Sequence, residues 1–164
     1  MRFISFDPSG NFNEGKGQTG WVIMSNNQIE NFGQIRAKDY NDRNDYWRAH
    51  TKLLEEKSID SVVVEDFRLY KSKANNQTNS EMETSKLLGY IEMYSYNNKL
   101  SFKKQLAAQA KSRFKDKILT HKGYITKDEN GRTYINSVNV SRHIIDALRH
   151  GLFHILNENK RSRK

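Results

Sequence analysis

A chain of 164 residues with 35% apolar residues and no cysteine is long enough for one domain with a real core, and it excludes disulfides, thiolate metal sites and a cysteine nucleophile. A surplus of 28 Lys and Arg over 19 Asp and Glu leaves a net charge of +9, which points to an anionic partner, nucleic acid being the commonest. No apolar run approaches the ~18 residues of a membrane span and the N-terminus lacks a secretory pattern, so a soluble cytosolic protein with no membrane partner is expected.

Phe3, Ile4 and Phe6 form a short apolar run of strand-favouring residues, and Asp7 stands where the run stops. The single proline follows at once, in the turn Pro8-Ser9-Gly10. A strand that delivers a carboxylate to its own rim is a common start for a metal or phosphate site. The polar stretch Asn11–Gln18 contains Gly15-Lys16-Gly17, which lacks the Walker A spacing and reads as a hairpin loop. Thr19–Met24 predicts a second strand, Asn26-Asn27 a hairpin turn and Gln28–Arg36 a third strand, so three antiparallel strands open the chain.

From Asp39 to Lys57 the period becomes helical, with Tyr46, Trp47, His50, Leu53 and Leu54 on one face and His50 read as a core residue. Ser61–Phe67 follows, with Val62-Val63-Val64 unalternated, as in a strand buried on both faces. Glu65 and Asp66 end that run, so one of the two stands at the strand terminus as Asp7 does. Arg68–Ser80 is polar and basic, carrying Arg68, Tyr70, Lys71 and Lys73. A helix is expected from Glu81 to about Tyr96 with Met82, Ser85, Leu88 or Gly89, and Met93 on one face, Gly89 marking close packing on the sheet. Leu100–Leu106 reads as a fifth strand, Lys111–Thr120 as a basic helix with Phe114, Ile118 and Leu119 inward, and Lys122–Asn136 as a loop or small hairpin. The last helix is capped by Asn139 or Ser141, and its core face is Ile144, Leu148, Gly151, Leu152 and Ile155. His143, Asp146 and His150 share an adjoining stripe that needs a partner, either a metal or protein counter-charges. A domain over residues 1–158 and a basic tail over 159–164 complete the division.

Taken together, Phe3-Ile4-Ser5-Phe6-Asp7-Pro8-Ser9 with Thr19-Gly20-Trp21, then Val62-Val63-Val64-Glu65, then His143 to His150 resemble the RuvC family of Holliday-junction resolvases within the RNase H-like superfamily, most of all its phage-type members. The resemblance implies an α/β RNase H-like fold: a five-stranded mixed sheet, its first three strands antiparallel, with helices on both faces and Asp7 and Glu65 on adjacent strands. It also implies a homodimer acting on four-way junctions in a bacterial host cell. It selects Glu65 over Asp66, and it makes Asp7, Glu65, His143 and Asp146 the catalytic and metal-holding set. His143 stands where many relatives have aspartate, a departure that shifts metal preference.

The chemistry suits those residue types. Phosphodiester cleavage needs charge relief on the attacked phosphate and on the leaving oxygen, which two divalent ions about 4 Å apart supply. Mg²⁺ prefers carboxylate oxygen, and a neutral imidazole would make Mn²⁺ a strong substitute, unless His143 instead takes up a proton. For DNA, Arg68, Tyr70, Lys71 and Lys73 form one candidate patch and Lys103, Lys104, Lys111 and Arg113 a second. An actin-like ATPase reading requires two such domains around one nucleotide. An RNase H-type ribonuclease would use the same carboxylates, and a non-catalytic junction binder would keep the basic surface.

Overall fold

The structure, a computed structural model, describes residues 1–67 and 82–162, so Arg68, Tyr70, Lys71 and Lys73 lie outside the described residues. Strands β1 (Arg2–Asp7), β2 (Gln18–Ser25) and β3 (Gln28–Arg36) form an antiparallel meander. Strand β4 (Ser61–Glu65) then pairs parallel with β1, and β5 (Ser101–Gln105) parallel with β4. The sheet order is β3-β2-β1-β4-β5, the five-stranded mixed sheet expected from the sequence.

Alternation along β1 and β4 splits the core. Phe3 and Val63 face the last helix, α5 (Arg142–Arg161), together with Ile144, Ile145, Leu148 and Leu152. Ile4, Phe6, Val62 and Val64 face the opposite layer, which holds α1 (Arg43–Lys57) and α2 (Glu83–Asn97) through Leu54, Leu87, Leu88 and Ile91. Successive side chains of a strand point to opposite faces, so Val62-Val63-Val64 has to be apolar throughout. Helix α5 is capped as one of the two expected residues allows: Ser141 accepts from the Ile144 amide at 3.4 Å. It runs on through Arg161, three residues into the segment read as a tail.

Several sequence expectations need correction. Helix α1 begins at Arg43, where the Asp42 side chain accepts from the Asp45 amide, and Ala37–Asp39 before it is a short 3₁₀ turn. On α2 the buried residues are Glu83, Leu87, Leu88, Ile91 and Ser95; Met93 is 61% exposed, and a Cβ on Gly89 would meet nothing. The Leu87–Ile91–Ser95 row, four apart, offers the sheet more apolar surface than the Met82–Ser85–Met93 row, and the larger burial decides the rotation of the helix. The expected helix over Lys111–Thr120 is two short ones, α3 (Ala107–Arg113) and α4 (Asp116–His121), separated by extended backbone at Lys115. The break buries Phe114 and Leu119 together while leaving Ile118 exposed. The region read as a loop or hairpin carries two short antiparallel strands, β6 (Thr126–Lys127) and β7 (Thr133–Ile135), and a third, β8 (Val138–Asn139), follows just beyond it and pairs with β7.

His50 is a core residue, as read, and its contacts order a buried network beside the turn that follows Asp7. Its Nδ1 faces the Tyr46 and Trp47 carbonyls at 3.0 and 3.2 Å, so that nitrogen carries the proton, and Nε2 accepts from the Thr19 hydroxyl at 2.9 Å. Thr19 Oγ1 in turn accepts from the Ser9 amide at 3.1 Å. Burial pushes the His50 pKa down to about 4. The unfolded chain therefore takes up a proton near its ordinary pKa while the folded chain resists until about 4, so stability declines as pH falls between those values. Each pH step of one across that interval costs about 1.4 kcal/mol, which brings the expected loss to roughly 3 kcal/mol. Urea unfolding of the parent chain and of His50→Gln from pH 7 to pH 4 checks it; parallel stability profiles would remove His50 from this role.

Candidate active site

The register of β1 on β4 sets Phe6 beside Val64, so the next residues, Asp7 and Glu65, end two adjacent parallel strands on the face covered by α5. Helix α5 can come this close because residue 20 is glycine: a Cβ there would stand 2.2 Å from the His143 carbonyl carbon and oxygen. The stripe His143, Asp146, His150 then lies across the strand ends. His143 Nδ1 meets Asp7 Oδ2 at 2.7 Å, and His150 Nε2 meets Glu65 Oε2 at 2.9 Å. His150 Nδ1 reaches Gln105 Oε1, at the end of β5, at 3.0 Å. The stripe thus finds its partners in strand-end side chains, one histidine to each of two carboxylates.

Asp146 sits between the two histidines and is gripped by cations. Arg149, itself buried, holds Asp146 through one guanidinium nitrogen, Asp116 through another and the Phe114 carbonyl through Nε at 2.9 Å. Arg142 Nε lies 3.6 Å from Asp146 Oδ1. Lys111 Nζ lies 3.1 Å from Asp146 Oδ2 and 3.3 Å from Glu65 Oε2, so one ammonium spans two of the three carboxylates. The turn after Asp7 is fastened too: the Gly10 amide donates to Thr84 Oγ1 at 3.1 Å and the Phe12 amide to Glu83 Oε2 at 2.8 Å.

The electrostatics record crowding. Burial raises the Asp7 pKa, and neighbouring Glu65 and Asp146 add to the rise against the lowering effect of the His143 hydrogen bond. The hydrogen bond that His143 shares with Asp7 raises the His143 pKa in turn. Burial opposes ionisation of Glu65 as well, yet the His150 hydrogen bond and the Lys111 charge outweigh it and leave its pKa lowered. Lys111 is likewise raised, burial being overcome by Glu65 and Asp146.

Asp7, Glu65, His143 and Asp146, the four residues expected to act together, stand at one rim. Among the described residues no group of three or more His, Asp or Glu is gathered tightly enough to hold a metal ion as it stands. The donor chemistry nevertheless fits a divalent ion: three carboxylates converge from β1, β4 and α5, and a cationic ammonium stands between two of them. Of the residues assigned to DNA, Lys111 lies in this centre, Arg113 is exposed, and Lys103 and Lys104 are paired with Glu158 and Glu92 at 2.9 and 2.5 Å. Sequence reading named His150 without finding its role and passed over Gln105 and Arg149. The pairing of histidine with carboxylate was signalled only by the three- and four-residue spacing.

A five-stranded sheet in the order β3-β2-β1-β4-β5, with carboxylates at the ends of β1 and β4 and a helix laid across them, is an RNase H-like fold. Among solved structures, the fold is similar to that of T. thermophilus RuvC in complex with a Holliday junction substrate, with a TM-score of 0.68, 16% identity, and 98% of this chain and 96% of that one covered. A second Thermus thermophilus RuvC structure is similar with a TM-score of 0.63, 15% identity and the same coverage, 98% and 96%. At these identities the likeness is one of fold. A comparison with curated proteins finds no match. A model of the Cdc37 Hsp90 binding domain matches residues 31–138. That span starts inside β3, ends in β8 and omits β1, β2 and α5, so it cuts through the sheet and leaves out Asp7, His143 and Asp146. The two comparisons disagree, and the full-length agreement in fold weighs more, because the sheet order depends on the strands that the partial match omits.

Proposed function

We propose that this protein is a metal-dependent, structure-selective endonuclease that cleaves phosphodiesters in four-way junctions or other branched DNA. The observation that carries the reading is the meeting of Asp7, Glu65, Asp146 and His143 at one strand-end rim of a chain with net charge +9. Asp7, Glu65 and Asp146 would hold Mg²⁺, with Mn²⁺ as a substitute suited to an imidazole nitrogen. Ions bound there would supply charge relief at the attacked phosphate and the leaving oxygen. His143 either lends its nitrogen to an ion or moves the proton that Nδ1 shares with Asp7. Lys111 offsets the repulsion between Glu65 and Asp146. The likeness to RuvC solved with a Holliday junction supports the choice of branched DNA.

Backbone grip falls to Arg68, Lys71 and Lys73 with Tyr70 as a stacking platform, and to Arg113. Lys103 and Lys104 join this surface only by giving up Glu158 and Glu92. Symmetric junction cutting calls for a homodimer. The outer face of α2 suits a second copy, since Met93 and Tyr96 are exposed there and Gly89 leaves room for close approach.

The test uses labelled four-way, Y-shaped, duplex and RNA–DNA substrates, each with Mg²⁺ and with Mn²⁺. Cleavage confined to the branched DNA substrates, requiring the metal, is the expected result. Degradation of the hybrid alone would favour a ribonuclease, and binding without cleavage under both metals would leave a junction-binding protein. Sedimentation of the same preparation reads the dimer, and Met93→Glu is expected to shift it to monomer.

A further inference from the structure

We propose that His150 and Gln105 act as a buried positioning pair that sets the orientation of Glu65, and through it the affinity of the rim for a divalent cation; this rests on the metal reading above. Three observations meet here. Glu65 and Gln105 are direct partners in the parallel β4–β5 register, and the Asp66 amide donates to the Gln105 carbonyl at 2.8 Å, so both side chains leave neighbouring strand ends on one face. The His150 ring is 0% exposed and fills the space above them, with one nitrogen on each at 2.9 and 3.0 Å. A carboxylate only accepts, so the nitrogen facing Glu65 carries the shared proton. The Gln105 amide can present either its oxygen or its NH₂ to the other nitrogen.

The geometry has a consequence for Glu65. Both the His150 and the Lys111 contacts fall on Oε2, so that oxygen is held while the strand fixes the backbone. Lys111 is a partly exposed, flexible cation that reaches Asp146 as well. His150 has no such freedom: it stands two turns along α5 from His143, which holds Asp7, so a single rigid helix face sets both strand-end carboxylates. Groups that orient metal-holding side chains commonly change metal affinity by about 10–100-fold when removed.

Mn²⁺ alone, titrated into the full chain and followed by electron paramagnetic resonance, tests this without any substrate. His150→Leu is expected to weaken Mn²⁺ binding by about 10–100-fold, with junction binding in EDTA unchanged. His150→Gln, whose amide can still donate to Glu65, is expected to recover most of the affinity, and Gln105→Leu to lose part of it. A folded His150→Leu that binds Mn²⁺ as the parent does would overturn the pair's role while leaving the metal reading intact. Should His150→Leu fail to fold, Gln105→Leu decides, and parent-like affinity there overturns the proposal. A parent chain that takes up no Mn²⁺ sinks the metal reading and this inference together.

Discussion

Asp7→Asn is expected to reduce junction cleavage by on the order of a thousandfold or more, about 4 kcal/mol of barrier, while junction binding measured in EDTA persists or tightens. The substitution removes a negative charge from the rim and a donor from the proposed metal set, yet keeps an oxygen that accepts from His143. Its effect on folding should run the other way. Burial and the charges of Glu65 and Asp146 raise the Asp7 pKa, so the ionised carboxylate disfavours the folded state. That penalty operates at pH values above the folded pKa and vanishes below the unfolded one, where Asp7 is protonated in both states. Asp7→Asn should therefore gain stability at neutral pH and lose the gain on acidification. Gel shift, cleavage and urea unfolding on one preparation check all three. Parent-like cleavage would remove Asp7 from the chemistry, and a loss of stability would mean that the carboxylate is structural.

The strands that Asp7 and Glu65 close were legible because composition announces them, Phe3, Ile4 and Phe6 in one and the unbroken Val62-Val63-Val64 in the other. Their adjacency and the choice of Glu65 over Asp66 came instead with the family resemblance. Strand ends are local facts, and burial on both faces marks β4 as a central strand, but its parallel pairing with β1 is a long-range one that composition does not set. The stripe on α5 was legible as a local fact too, since helical spacing alone puts His143, Asp146 and His150 together. What stayed hidden depends on docking. Lys111 reads as one basic residue among several, and only the seating of α3 against α5 carries its ammonium to Glu65 and Asp146. The rotation of α2 was misjudged because methionines and a glycine suggest contact, whereas Leu87 and Ile91 supply the larger apolar area. Gln105 carried no signal of its own; its meaning comes from standing beside Glu65 in the register.

Arg149 carries the other large effect. It is 2% exposed, and its guanidinium is divided between Asp146, Asp116 and the Phe114 carbonyl, which ties α5 to the break between α3 and α4. Asp116 has further partners: Lys127 first, then Arg149 and Arg142, hold its carboxyl below the usual range. Asp146 keeps Lys111 at 3.1 Å and Arg142 at 3.6 Å, but it is the more deeply placed of the two acids and loses its buried partner. Removing one member of a buried ion pair costs up to about 3–5 kcal/mol, offset in part here by the cations that remain beside Asp146 and Asp116. Arg149→Met is accordingly expected to lower the midpoint of thermal unfolding by several degrees and by no more than roughly 20 °C, at about 2–4 °C per kcal/mol for a chain of this size. Adding Asp146→Leu to it should restore much of the stability, because replacing both charges removes the desolvation penalty with the pair, but should not restore cleavage. Stability recovered without activity separates the structural duty of Asp146 from its place at the rim. If the double variant is no more stable than Arg149→Met, the guanidinium's value lies in Asp116 and Phe114, and the Asp146 contact adds nothing to the fold.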